Sequence, residues 1–229
     1  MIKIKPQVLV PGEELRKGKM LFIERCARIC YKSEDSIKEE INVDFLKNLL
    51  SRGHESVIEH EKVSVMFIVD RGISHEIVRH RIGSYSQEST RYCNYAKDKF
   101  GREITVIEPY FLSGEAYAEW EKACLQAEKS YFNLLSKGCS PQEARSVLPT
   151  CLKTEIAVTY NLREWRHFFR LRCDKAAHPQ MRQVAIPLLL LFREKIPVLF
   201  DDIEYDRQFP EEHYAQVVIT DYFFRPYQG

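Results

Sequence analysis

Two stretches of this chain carry a β-strand signal, and they lie far apart. KVSVMFIVD (62–70) is a near-continuous apolar run, and KTEIAVTYN (153–161) alternates. Around them apolar residues recur at helical spacing. EELRKGKMLFIERCARICY (13–31) reads as one amphipathic helix and SIKEEINVDFLKNLLSRG (36–53) as a second, closed by Gly53. ISHEIVRHRI (73–82), SGEAYAEWEKACLQAEKSYFNLLSKG (113–138), SPQEARSVLP (140–149) and LREWRHFFRLR (162–172) are also helical in pattern. QMRQVAIPLLLLFREKI (180–196) reads as a mostly apolar helix interrupted at Pro187. Strands few and separated, without regular strand–helix alternation, predict an α+β fold with a mixed or antiparallel sheet flanked by helices. No repeat or linker-like tract marks a boundary, so a single catalytic domain over 1–229 is expected.

Formal net charge is +1, too little for bulk steering of nucleic acid, so any anion site must be local. The opening MIKIKPQVLV has no long apolar core or cleavage pattern, and no run approaches bilayer length. A soluble, cytoplasmic protein without membrane or nucleic-acid partners is expected. The seven cysteines are odd in number and form no C-x-x-C pair, which reads as reduced thiols with no metal.

The segment RHRIGSYSQESTR (79–91) holds three arginines and no lysine. A merely solvated surface accepts either cation. Arginine alone points to a planar anion gripped by paired N–H donors. No glycine-rich phosphate loop is present, so side chains and helix ends would have to hold any nucleotide.

On a helical wheel, Leu162, Trp165, Phe168 and Phe169 gather on one arc, which should face the core. Arg163, Arg166, His167 and Arg170 form the opposite arc, which is either a solvated face or an anion-binding one. With Arg79, Arg81 and Arg91 it is expected to repel itself unless anions are bound. Arg172 falls inside the apolar arc, where it either snorkels to water or needs an anion, since an unpaired buried guanidinium costs about 3–5 kcal/mol.

Other motifs are weaker. HEIVRH places its histidines five apart, wrong for a helical zinc pair. His80 near Ser84, Ser86 and Ser89 lacks the G-x-S-x-G elbow of a hydrolase. GHESVIEH (53–60) reads as metal ligands, a capped helix start or ligand-bonding groups, with Ser56 able to offer hydroxyl and amide to a phosphate. A nucleotide- or RNA-binding module would need stronger basicity and exposed aromatics between the arginines, and a phosphoester hydrolase would need a metal set.

Arg79, His80 and Arg81, then seven residues, then Ser89 resemble the signature of flavin-dependent thymidylate synthases. ARICY (27–31), GHESVIEH, STRY (89–92), EARSVLP (143–149), NLR (161–163) and the last arginine of FFRLR resemble segments of that family in the same order. The resemblance implies a homotetramer of α+β subunits with shared active sites, holding FAD between dUMP and a folate. It also implies the reaction: methylenetetrahydrofolate supplies carbon to C5 of dUMP and NADPH supplies hydride through the flavin, giving dTMP. Two polyanionic nucleotides would explain the arginines.

By the same resemblance, Ser56, Arg79, His80, Arg81, Asn161, Arg163 and His167 match positions that contact FAD, with Gln87 reaching it from a neighbouring subunit. Glu76, Arg79, Gln87, Glu88, Ser89, Thr90, Arg91, Arg145 and Arg172 match the dUMP site. Arg172 and Ser89 match its catalytic positions. Arginine stays protonated, so Arg172 would stabilise charge developing on the pyrimidine, and Ser89, with no partner base, would position. Arg163 and His167 share a helix face that Arg172 does not, which assigns them to different ligands. The chain departs from commoner family residues at Cys30, Glu76 and CDKAAHPQMR (173–182).

Overall fold

A computed structural model describes residues 1–220. Seven strands are described: β1 (Ile2–Ile4), β2 (Gln7–Val10), β3 (Lys62–Asp70), β4 (Gly83–Gln87), β5 (Thr105–Ile107), β6 (Lys153–Asn161) and β7 (Gln216–Ile219). Seven α-helices accompany them: α1 (Gly18–Tyr31), α2 (Val43–Ser51), α3 (Arg71–Ile77), α4 (Gly114–Ser136), α5 (Pro141–Ala144), α6 (Leu162–Arg172) and α7 (Pro179–Lys195). The class is α+β, as expected. The described residues form two compact units, one of 1–6, 68–79 and 86–156, the other of 7–67, 80–85 and 157–220.

In the first unit, β1 and β5 pair in parallel, Ile2 opposite Thr105 and Ile4 opposite Ile107. A small core of Tyr95, Ile104, Val106, Tyr131, Ala144 and Leu152 lies beside α4, whose Tyr131 is fully buried. The helix stops where Gly138 takes φ +90°, a left-handed value that glycine adopts without steric penalty. α5 then starts from a capping box: Ser140 and Glu143 satisfy each other's end of the turn, and Pro141 occupies the first position. α3 begins at Asp70, whose carboxylate accepts from the Ile73 amide at 2.7 Å.

The larger sheet is ordered β4-β6-β3-β2-β7, and its β2 and β7, both in the second unit, run parallel. α6 starts at Asn161, whose side-chain oxygen accepts from the Glu164 amide at 2.8 Å. Its apolar arc faces inward as predicted: Leu162, Trp165, Phe168 and Phe169 have no solvent exposure. Trp165 meets Tyr160 edge-on at 4.7 Å and donates its indole N–H to the Val63 carbonyl at 3.0 Å, tying α6 to β6 and β3.

Four expected helices are shorter than their patterns: α3 ends at Ile77 and α5 at Ala144, where a 3-10 turn takes over, and the first two helices start late. A 3-10 turn over Gly12–Leu15 precedes α1, and extended Arg16 separates the two. α2 starts only after Asn42, which caps it by accepting from Phe45. The expected interruption at Pro187 does not occur: α7 runs through it. Proline has no N–H for the carbonyl four residues back, that of Gln183. Here that oxygen accepts from the Ala215 amide at 2.8 Å, so the gap in the helix ladder becomes an anchor for the segment entering β7.

Candidate active site

Arg163, Arg166 and Arg170 of α6 are neutralised from inside the protein, which corrects the expectation of a self-repelling arc awaiting anions. The adjoining 3-10 turn, Glu55–His60, supplies Glu55, and Asp202 follows α7 in the chain. Arg166, expected on the outer arc, is 1% exposed and grips Asp202 with two bonds of 2.7 Å. It also donates to Glu55 at 3.1 Å. Arg170 reaches the same Glu55 oxygen at 2.8 Å, and Arg163 pairs with Glu59 at 2.6 Å. Burial acts to raise the Glu55 carboxyl, but the Arg170 hydrogen bond and the Arg166 charge prevail and hold it below its ordinary value. Glutamates on a neighbouring turn were a tertiary feature that the wheel could not show.

A second cluster uses other residues along the same helix, Glu164, His167, Phe168 and Arg172. His80, 3% exposed, sits among Tyr160, His167 and Phe168 at ring separations of 5.9, 5.3 and 5.1 Å. Its Nδ1 lies 3.0 Å from a Glu164 oxygen, and its Nε2 accepts from Arg172 Nε–H at 3.2 Å. Arginine can only donate, so Nε2 must carry the lone pair and Nδ1 the proton. Burial, then the charges of Arg172 and His167, push the imidazole down to about 4, so it is neutral at pH 7. Burial raises the Glu164 carboxyl, partly offset by His167. Tyr85 donates its hydroxyl to the His80 carbonyl.

Arg172 is thus half-buried and engaged with an uncharged acceptor, and His167, on another face of α6, approaches the same ring. The wheel separates these two residues by direction; the fold brings both to His80. His80, Glu164 and His167 each offer a ligand atom, all within 4.8 Å of one another, a composition capable of holding a cation. Arg172 already supplies the positive charge there.

In the first unit, the Arg145 guanidinium donates to Thr90 Oγ1 at 3.2 Å, and the Arg91 amide to Ser89 Oγ at 3.3 Å. Ser89, Thr90, Arg91 and Arg145 are thereby gathered into one cationic, hydroxyl-bearing corner. Glu88 faces inward instead: its oxygens accept from Tyr95 and Lys153, both at 3.1 Å. Gln87 donates to Ser74 at 2.8 Å and Thr154 at 3.2 Å. Glu76 is half-buried on α3, and Arg79, just past that helix, is exposed. Among the described residues no carboxylate pairs with Arg79, Arg81 or Arg91, in contrast to Arg163, Arg166 and Arg170 of α6.

Residues 15–198 match the family model described as thymidylate synthase complementing protein. A flavin-dependent thymidylate synthase of Geobacter sulfurreducens is 36% identical over 184 residues, covering 77% of this chain and 78% of the relative. One from Corynebacterium aurimucosum is 34% identical over 203 residues, covering 79% and 78%. The chain belongs to the flavin-dependent thymidylate synthase family.

Within this flavin-dependent thymidylate synthase family member, sequence reasoning missed Glu164, Lys153 and Tyr160, and it singled out Glu55 without finding its arginine partners. Glu164 stands 84 positions from His80 and pairs with it only through folding. Its one local sign is a place three residues after the Asn161 cap, where an acidic residue favours the helix start. No helix of the described residues is long and apolar enough to cross a membrane.

Proposed function

We propose that this protein is a thymidylate synthase that converts dUMP to dTMP, with methylenetetrahydrofolate as carbon donor, FAD as cofactor and NADPH as hydride source. On this reading residues 1–229 act as one catalytic domain, in a cytoplasmic homotetramer with active sites shared between subunits. Family membership supports the activity. The structural observation that carries it is that Arg79, Arg81 and Arg91 meet no carboxylate among the described residues, whereas Arg163, Arg166 and Arg170 of α6 are each paired with one. Unpaired arginines suit dianionic ligands.

The residues present fit a flavin dinucleotide. Ser56, Arg163 and His167 are exposed on adjoining elements, the Glu55–His60 turn and α6. Arg163 keeps donors beyond the one given to Glu59, and Asn161 uses only its oxygen as a cap. These groups, with Arg79, Arg81 and Gln87, would hold phosphates and ribose hydroxyls; the bound flavin supplies hydride chemistry. His80, with both ring nitrogens engaged, acts through Arg172.

On the substrate side, Arg91 and Arg145, with the hydroxyls of Ser89 and Thr90, would hold the dUMP phosphate, and Glu76 would accept from a sugar hydroxyl. Arg172 stabilises the negative charge that spreads toward C5 of the pyrimidine, making that carbon nucleophilic without attack by a cysteine. The neutral His80 imidazole accepts the Arg172 Nε–H and so helps to orient that guanidinium. Ser89 orients the ring.

The visible spectrum tests the reading. Purified protein should be yellow, bleach with NADPH, and regain colour as dUMP and methylenetetrahydrofolate give dTMP. A colourless protein indifferent to added FAD refutes it.

A further inference from the structure

The mechanism above uses Arg172 but not the buried carboxylate two steps behind it. Glu164 is 9% exposed, and its Oε1 lies 3.0 Å from His80 Nδ1. His80 in turn accepts the Nε–H of Arg172 at 3.2 Å. Three residues from two distant parts of the sequence form an unbroken chain of hydrogen bonds, and each link depends on the one before it. Without an acceptor at Nδ1, the imidazole is free to carry its proton on Nε2, and that nitrogen then repels the Arg172 N–H instead of receiving it.

The consequence for Arg172 is directional. Its Nε–H lies in the plane of the guanidinium, so a bond there fixes the rotation of the whole planar group. The imidazole is itself clamped by ring contacts with Tyr160, His167 and Phe168, and its backbone carbonyl is held by Tyr85. An orienting carboxylate behind a histidine is a recurring way to set tautomer and direction.

We propose that Glu164 is a positioning residue for the methyl transfer: it fixes His80 in the Nδ1–H tautomer, and His80 thereby sets the plane in which Arg172 presents its charge to the pyrimidine. This rests on the assignment of Arg172 to the substrate. It also places His80 behind Arg172, a role different from direct contact with the cofactor.

Histidine-ring 15N resonances test the first link in the intact protein, with His80 assigned by the signals lost in His80→Gln. The proposal expects a proton on Nδ1 and none on Nε2 at pH 7; a protonated Nε2 overturns it. Glu164→Gln keeps an acceptor for Nδ1 and should retain both that tautomer and most of kcat. Glu164→Leu should lose the tautomer preference and about 10- to 100-fold in kcat, with flavin content and the KM for dUMP little changed. If both variants lose activity equally, or if flavin falls in step with kcat, Glu164 is a packing residue and the proposal fails. If Glu164→Leu does not fold, the wild-type tautomer and the Gln variant decide. A wild-type protein with the expected tautomer that makes no dTMP would instead refute the assigned function, leaving the hydrogen-bond chain standing.

Discussion

Arg166 and Asp202 face each other through two parallel bonds of 2.7 Å, with the guanidinium closed off from solvent and Asp202 partly exposed. Glu55 backs the same guanidinium, so removing one carboxylate leaves the other. Asp202→Ala should therefore cost about 1–3 kcal/mol, and the double change with Glu55→Gln about 3–5, read from urea midpoints at pH 7. Both carboxyls are held below their ordinary values, 4.5 for Glu55 and 3.8 for Asp202, by Arg166 and Arg170 against the opposing effect of burial. Their contribution is complete above those values and is lost as pH falls through the lower folded ones. A double variant with an unchanged midpoint would show that the pair adds nothing.

His80 gives a separate acid dependence. Folding lowers it from 6.5 to about 4, so between those values the unfolded chain binds the extra proton. Stability should decline as pH drops from 6.5 toward 4 and be full above 6.5. Facing the ring are Glu164, His167, Arg172 and Tyr160. His80→Gln should flatten this limb while sparing the lower one; a slope identical to wild type would contradict the assignment.

Gly83 has no room for a side chain. A Cβ there would overlap the Tyr160 ring and come within 3.2 Å of the Tyr85 hydroxyl. Tyr160 packs against both His80 and Trp165, so the strain would reach the candidate site. Gly83→Ala should destabilise by about 1–3 kcal/mol and lower turnover, whereas Gly18→Ala, which meets nothing within 4 Å, should not. Thermal melts of the two variants check this.

The two arginine roles should separate in kinetics. Arg172→Lys keeps the charge but loses the planar group and its Nε–H, so kcat should fall by about 10-fold or more with flavin retained. Arg163→Ala should weaken flavin retention first. Comparable loss of both properties in both variants would remove the distinction.

Arg91→Ala should raise the KM for dUMP by about 10-fold or more, since no carboxylate of the described residues competes for that guanidinium. Arg170→Ala, whose charge is taken by Glu55, should leave it near wild type. Steady-state assays with varied dUMP distinguish them.

The extent of β6, the stop of α4 near Gly138 and the buried arc of α6 were all legible in the sequence. Each depends on residues a few positions apart, and periodicity reports such neighbours directly. Short β1, β5 and β7 left little signal, because their stability comes from partners distant in sequence, as in the parallel register of Gln7 with Gln216. Pro187 shows the same limit: its local chemistry predicts a break, and the Ala215 amide, supplied from another part of the chain, makes continuity possible.

For the site, the order of motifs from Arg79 to Arg172 pointed to the family that the comparisons show. Side-chain type alone could not distinguish an arginine meant for a ligand from one meant for the protein. Arg166 and Arg91 look alike in sequence; Asp202 and Glu55 neutralise the first, and no described carboxylate meets the second. That difference belongs to the tertiary structure, because ion pairing and desolvation act over a few ångströms of space, whatever the separation along the chain.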